Sequence, residues 1–198
     1  RSSVSRKGPE VVTKEDRLAN VEKNEHSDLD YQAILKYIKK RYPKISNDDA
    51  DTIASNLVQY GRKNRLDPKL AAALIARESA FNKAAESSTG AKGLGQIKSF
   101  NFPSLKISDP YDIKQNVSGT VSYLKRLMKV WKNKSERVQL ALASYYKGHN
   151  AVKEELDSEE KTPFDSKTNN YVEDILEYYD SISTIKDDLV KANRNRRK

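Results

Sequence analysis

The sequence predicts an all-α, or nearly all-α, fold. Apolar residues recur at helical spacing in one segment after another, and no convincing period-2 stretch appears. Two segments also open on Asp-Pro, a side-chain cap followed by a ring whose φ suits a first helical turn. No internal repeat is present.

Taken in order, residues 1–27 hold few large apolar side chains (Val4, Val11, Val12, Leu18, Val21) and balanced charge. They read as a flexible leader with a frayed helix near residues 14–23. Asp28 is placed to cap the next helix, on which Ile34, Leu35, Ile38 and Tyr42 recur at helical spacing before Pro43 ends it. Ser46 or Asn47 caps a second helix carrying Ile53, Ala54, Leu57 and Val58. These helices, residues 28–66, are expected to pack on the back of the main domain, residues 67–185.

Asp67-Pro68 opens a third helix built from Ala and Leu, the strongest helix formers. Phe100, Phe102 and Pro103 mark an ordered turn, and Asp109-Pro110 reads as the next cap-plus-Pro start. The helix that follows places Val117, Val121, Leu124, Leu127, Met128 and Trp131 on one side, a core stripe. Ser135 is expected to start the helix over residues 138–146, which Gly148 breaks. A short helix over residues 151–156 and a polar loop through Thr168 follow. Tyr171, Ile175, Tyr178 and Ile182 then stripe the last long helix, before a basic tail at residues 186–198.

One residue conflicts with this patterning. With Leu70 at zero on a helical wheel, Leu74 falls at about 40°, Glu78 at about 80°, Ala71 at about 100° and Ile75 at about 140°. A carboxyl therefore interrupts an apolar arc. Such an acid either pairs with a base at the edge of the core or is desolvated, with a raised pKa suited to delivering a proton near neutral pH. The next segment favours the second reading. Residues 79–82 end the helix, and Gly90, Gly93 and Gly95, three of the chain's seven glycines, fall within six residues. A carboxyl at a helix end followed by a glycine-dense loop predicts a cleft with a floor and a wall.

Composition narrows the function classes. Only 36% of residues are hydrophobic and 33% are charged, which predicts some solvated arm. The absence of Cys excludes disulfides and thiolate metal sites. The longest apolar run, residues 70–76, is far short of the roughly 20 residues that span a bilayer. A chain beginning at Arg1 rather than Met is expected to be a trimmed form. Of the net charge of +9, +5 lies in residues 191–198, so the body needs no nucleic-acid partner to explain it. The tail's charge suits solvation first, and anionic cell-wall polymer, phospholipid or nucleic acid second, with envelope proteins as further candidate partners. His26 and His149 belong to no triad or metal spacing, and no cofactor or metal is expected. Gly90-x2-Gly93-x-Gly95 lacks the Lys and the preceding strand of a phosphate loop.

Residues 74–82 (LIARESAFN), 88–97 (STGAKGLGQI) and 141–152 (ALASYYKGHNAV) resemble, in order and spacing, the signature of lytic transglycosylases with a lysozyme-like catalytic domain. Asn116-Val117-x-Gly119-x3-Tyr123-Leu124 and Tyr171-Val172 supply two further landmarks, so the resemblance covers roughly residues 65–180. It implies a lysozyme-like helical fold and a single catalytic acid, Glu78, acting on peptidoglycan glycan strands in a bacterial periplasm or envelope. Glu78 would protonate the leaving oxygen of the β-1,4 bond between N-acetylmuramic acid and N-acetylglucosamine. As a carboxylate it would then take the proton of the substrate's 6-hydroxyl, which closes a 1,6-anhydro ring. The matching positions imply supporting roles. Ser79 would orient the acid or touch the sugar. Gly93, Leu94, Gly95 and Gln96 would line the groove, with Gln96 donating a hydrogen bond. Tyr145 would help to position the acid, and Tyr171 would close the wall.

Two departures stand out: Gly95 replaces the usual Met, removing an apolar wall, and Tyr146 replaces the usual Asn. Both bear on substrate preference. Glycosidic hydrolysis normally takes two carboxyls, about 5–5.5 Å apart for retention and about 6.5–9.5 Å for inversion. Glu86, Asp109 and Asp112 each read better as loop solvation or capping. A hydrolytic muramidase on the same fold therefore needs a second acid near Glu78, while Gly95 and Tyr146 suggest a third reading, a non-catalytic glycan-binding envelope domain.

Overall fold

The third helix is buried on every side until its last turn. The computed structural model describes residues 14–157 and 164–196, with side chains from Asp28 onward. Within these residues the helices are α1 (Lys14–Arg41), α2 (Asn47–Asn64), α3 (Pro68–Ser79), α4 (Phe102–Leu105), α5 (Ile113–Val130), α6 (Arg137–Lys147), α7 (His149–Asp157) and α8 (Ser166–Arg196). The one sheet is a hairpin of β1 (Ala91–Lys92) and β2 (Ile97–Lys98), antiparallel with Ala91 opposite Lys98. The fold is helical, as the patterning predicts.

Every residue from Pro68 to Ala76 is buried, and α1, α2, α5 and α8 pack around α3. Four of those nine residues are Ala, whose small side chains let neighbouring helices approach, and a helix apolar all round belongs in a core. Arg77, Glu78 and Ser79 are the first residues of α3 to reach the surface. The helix starts as expected: Asp67 Oδ1 accepts from the Lys69 amide at 2.9 Å, with Pro68 in the first turn. Ser46 caps α2, its Oγ accepting from the Asp49 amide at 3.1 Å.

The termini and some caps differ from expectation. α1 runs through Asp28, which caps nothing and accepts from Gln32 Nε2 one turn on, at 2.7 Å. No Gly or Pro lies between Pro9 and Pro43, so nothing breaks the helix at residue 28. Residues 1–13 of the expected leader lie outside the described residues. α8 likewise runs through the expected start of the tail at residue 186, because Ile185 and Leu189 extend the stripe of Ile175 and Ile182 against the core. Lys186 is structural: its Nζ lies 2.8 Å from Asp30 Oδ1, each side chain only 14% exposed. Arg197 and Lys198 lie outside the described residues, as do residues 158–163 of the polar loop.

The cap of α5 is Asp112, which accepts from the Gln115 amide at 2.8 Å. Asp109-Pro110 forms the preceding turn, where Asp109 Oδ1 accepts from the Tyr111 amide at 2.9 Å. α6 begins after Glu136 without a side-chain cap, and the Ser135 hydroxyl donates to the Glu136 carboxylate instead.

Candidate active site

Glu78 sits where α3 ends, at the edge of a cleft of about 410 Å³ bounded by the hairpin and by the C-terminal end of α6. The chain turns sharply there. Ala80 and Phe81, neither a glycine, both take positive φ (50° and 60°), a costly pair held by burying Phe81 edge-on to Tyr42, ring centroids 5.2 Å apart. Burial pushes the Glu78 carboxyl up to about 7, against the opposing pulls of the Tyr171 hydroxyl and the Arg77 charge. Tyr171 on α8 donates its hydroxyl to Glu78 Oε1. Its ring carries Arg77 on one side, at 5.4 Å, and stacks on Tyr146, centroids 4.7 Å apart and 25° between planes. Arg77 is itself paired with Asp174 at 2.8 Å.

The sequence-predicted residues divide into two sets. Glu78, Gln96, Tyr145 and Tyr146 line the cleft, and Tyr171 stands behind the acid. Ser79, Gly93, Leu94 and Gly95 are not brought into it. The Ser79 hydroxyl donates back to the Ile75 carbonyl one turn earlier, at 3.3 Å. Leu94 is fully buried in the core. Gly93 (φ +72°) lets the loop approach α5, since a Cβ there would lie 2.1 Å from the Pro110 carbonyl oxygen. A Cβ on Gly95 would point away from the groove and lie 2.0 Å from Thr120 Oγ1. The replacement of Met by Gly at this position is therefore an adjustment to the α5 face, not a missing groove wall.

Two expected hydrogen-bond roles also move. Gln96 Nε2 donates to the carbonyls of Ala85 (3.1 Å) and Gly93 (3.0 Å), so its amide hydrogens brace the loop. The Tyr145 hydroxyl donates to the Gly95 carbonyl at 2.7 Å, and the tyrosine that reaches Glu78 is Tyr171. Burial, with the Glu78 charge nearby, holds both phenols well above the usual tyrosine range, so each stays a donor.

Sequence reasoning quoted Asn116 only as a landmark and missed that it fixes the loop. Asn116 is 1% exposed; its Oδ1 accepts from the Gly95 amide at 2.8 Å and its Nδ2 donates to Pro110 (2.8 Å) and Lys92 (3.2 Å) carbonyls. The signal was a polar side chain between Ile113 and Val117 on the apolar stripe of α5. It also missed Ser87, Thr89, Lys98 and Phe100, which line the cleft from the hairpin side.

Among the described residues Glu78 is the only carboxylate lining the cleft. Glu86 pairs with Lys92 (3.3 Å) and accepts from the Tyr111 hydroxyl (2.8 Å), while Asp109 and Asp112 hold turns and caps. Among the described residues no cluster of three or more His, Asp or Glu side chains could hold a metal ion, and no helix is long and apolar enough to cross a membrane.

The chain is 29% identical over 129 residues to membrane-bound lytic murein transglycosylase F of Desulfosudis oleivorans, covering 64% of this chain and 27% of that protein. It is 30% identical over 149 residues to the protein of the same name from Vibrio cholerae, covering 59% and 28%. It thus spans little more than a quarter of the length of these curated relatives. Among solved structures, an inactive mutant of lytic transglycosylase Slt from Pseudomonas aeruginosa superposes with a TM-score of 0.53 at 26% identity, covering 63% of this chain and 23% of that one. The family described as the transglycosylase SLT domain matches residues 55–168, a span that includes α3, the glycine loop and α6. The chain belongs to the SLT transglycosylase domain family.

Proposed function

We propose that this chain is the catalytic part of a peptidoglycan lytic transglycosylase of the bacterial envelope. The observation that carries the reading is a single acid in the cleft, protonated up to about pH 7 by its burial and held by the Tyr171 hydroxyl. Glu78 gives its proton to the glycosidic oxygen as the bond from muramic acid C1 breaks. The substrate's own 6-hydroxyl then bonds to C1, and its proton passes to the Glu78 carboxylate. The acid is restored, no water is consumed, and the new end is a 1,6-anhydromuramic acid. An internal nucleophile held in position replaces the second carboxylate that a hydrolase needs, and such positioning contributes several kcal/mol, up to about 7–11 in well-oriented cases.

Tyr171 supports both halves of the cycle. As a donor it stabilises the carboxylate formed after proton transfer, and it fixes which oxygen of Glu78 faces the cleft. Names of the curated relatives, lytic murein transglycosylases described as membrane-bound, support peptidoglycan as the substrate and the envelope as the location.

The test is mass spectrometry of products from purified sacculi. Anhydro ends, lighter by one water than reducing ends, are expected from the wild-type chain, with turnover collapsing in Glu78→Gln. Reducing ends would refute the transglycosylase reading in favour of a muramidase. Undiminished cleavage by Glu78→Gln would refute Glu78 as the acid, and intact sacculi that the wild type binds without cleaving would leave a glycan-binding domain.

A further inference from the structure

The wall of the cleft contributed by the hairpin carries a cation that the reaction does not use. On β2, the buried Ile97 (3% exposed) and the half-buried Lys98 both border the cleft, and Lys98 lines it together with Ser87, Thr89 and Glu78. Its ammonium is fixed in place. Nζ donates to the Thr89 carbonyl oxygen and to Thr89 Oγ1, each at 2.6 Å. Thr89 Oγ1 lies 3.1 Å from Ser87 Oγ, which accepts in turn from the Ala91 amide at 3.0 Å. An ammonium has three donors, and this rail takes two of them with neutral acceptors. One N–H and the whole positive charge are left over.

The other charges in the cleft are already matched. Lys147, the second cation of the lining, sits between the carboxylates of Glu155 and Asp165. Glu78 is influenced by Tyr171 and Arg77, not by Lys98. Among the described residues Lys98 pairs with no carboxylate, whereas Lys147 has two, and the basic residues just outside the lining are also paired: Arg77 with Asp174 and Lys92 with Glu86. An oriented, uncompensated ammonium in a concave site attracts an anion more strongly than the same group on an open surface. A neutral glycan would leave that charge partly desolvated with nothing to gain from it.

We infer that Lys98 is a specificity residue that binds a carboxylate of the substrate glycan, so that the cleft selects acid-bearing sugar chains over neutral ones. The inference rests on the reading of the substrate as peptidoglycan, where the acid can come from two places on muramic acid. One is the 3-O-lactyl carboxylate of strands whose peptides have been removed. The other is a carboxylate of the attached stem peptide. Both present the same planar anion to the one free N–H of Lys98.

Binding separates these sources without needing turnover. Full-length Glu78→Gln, which leaves Lys98 and its rail untouched, is titrated by calorimetry with three ligands: peptide-bearing glycan strands, strands trimmed by an amidase, and trimmed strands whose lactyl groups are converted to neutral amides. The same titrations are run with Glu78→Gln/Lys98→Gln and Glu78→Gln/Lys98→Arg. A charge-assisted hydrogen bond in this setting predicts an affinity loss of about tenfold for Lys98→Gln on an acid-bearing strand. Lys98→Arg should restore most of it, and the difference should shrink in high salt. Loss on trimmed strands assigns the lactyl carboxylate, whereas loss confined to peptide-bearing strands assigns the stem peptide.

The inference is overturned if Lys98→Gln binds both acid-bearing strands as tightly as its parent, or if the dependence on Lys98 persists on the amidated strands. Absence of binding by the parent to every strand overturns it as well. A circular dichroism melt of each variant checks that the hairpin is intact. Failure of the reaction reading is separable: wild-type products ending in reducing sugars would remove the transglycosylase mechanism and leave the binding result standing.

Discussion

Replacing Glu78 by Gln keeps the side chain's shape and removes its proton, and two consequences follow from one burial. The folded carboxyl titrates at about 7 and an exposed one near 4.5. Between those values the native protein holds a proton that the unfolded chain has released. Stability from this group is therefore fully present below about pH 4.5 and is lost as pH rises through about 7, beyond which the penalty is constant. At 1.36 kcal/mol per pKa unit, the shift corresponds to about 3 kcal/mol. Gln carries no such penalty. Thermal melts of wild type and Glu78→Gln should nearly coincide at pH 4.5 and then separate, the variant rising above wild type. At about 2–4 °C per kcal/mol for a chain of this size, the gap at pH 8 approaches about 6–12 °C. Over the same range wild-type kcat/KM should fall roughly tenfold per pH unit above 7, because the acid must be protonated to act, while Glu78→Gln loses about 10²–10⁴ in rate below pH 7 and shows no such alkaline limb. Calorimetric scans and a pH–rate profile read both quantities. Parallel Tm curves across pH 4.5–8, or full wild-type activity at pH 8.5, would show that Glu78 is not the desolvated acid its surroundings describe.

Three further substitutions probe the supporting structure. Tyr171→Phe removes the hydrogen bond that favours the ionised acid, so the alkaline limb of the pH–rate profile should move to higher pH while kcat falls; an unmoved limb would deny the contact. Gly95→Met should not rebuild a groove wall but destabilise the protein by about 1–3 kcal/mol through its conflict with Thr120, with part of the loss recovered by Thr120→Ala because the closest contact is to Oγ1. Additive losses in that double-mutant cycle would refute it. Lys186→Ala should cost about 1–2 kcal/mol in chemical denaturation, because the largely buried Asp30 carboxylate loses its nearer cation and keeps only Lys69 at 3.6 Å; a cost near zero would return residue 186 to a dispensable tail.

How much of this was legible in the sequence depends on the range of the interaction. Asp67, Pro68 and Ser46 announced their helices because a cap acts within three residues. Asp109-Pro110 offered the same signal three residues too early, since a turn and a helix start use the same residues and only packing tells Asp112 from Asp109. The helical wheel correctly marked Glu78 as out of place, but for an incomplete reason. The arc it interrupts belongs to a helix surrounded on all sides, and the acid is half-buried because the helix end emerges at the floor of a cleft. Nothing in a wheel distinguishes these. Leu94 and Gly95 were assigned to the groove by their place in a motif, yet their backbone directions turn them into the core and onto Thr120.

The interchange of the tyrosines shows the limit most clearly. Tyr145 lies beside Glu78 in the cleft, and the resemblance made it the acid's partner. Tyr171, 93 residues from Glu78 along the chain, makes the bond. Its hydroxyl reaches the end of α3 because α8 packs along α3, where Ile175 and Val172 meet the core, and the next helical position toward the site is a tyrosine. Tyr146 then acquires a role that the usual Asn could not have. The exposed Tyr146 ring on α6 stacks on the ring of Tyr171, while Arg77 lies over that ring within its ion pair to Asp174. The departure from the family pattern at residue 146 thus acts on the group that orients the acid, where an aromatic face contributes more than an amide does. An acid with no carboxylate partner among the described residues of its cleft is oriented by a neutral donor, and the ring of the donor that reaches it packs against both a cation and a second ring.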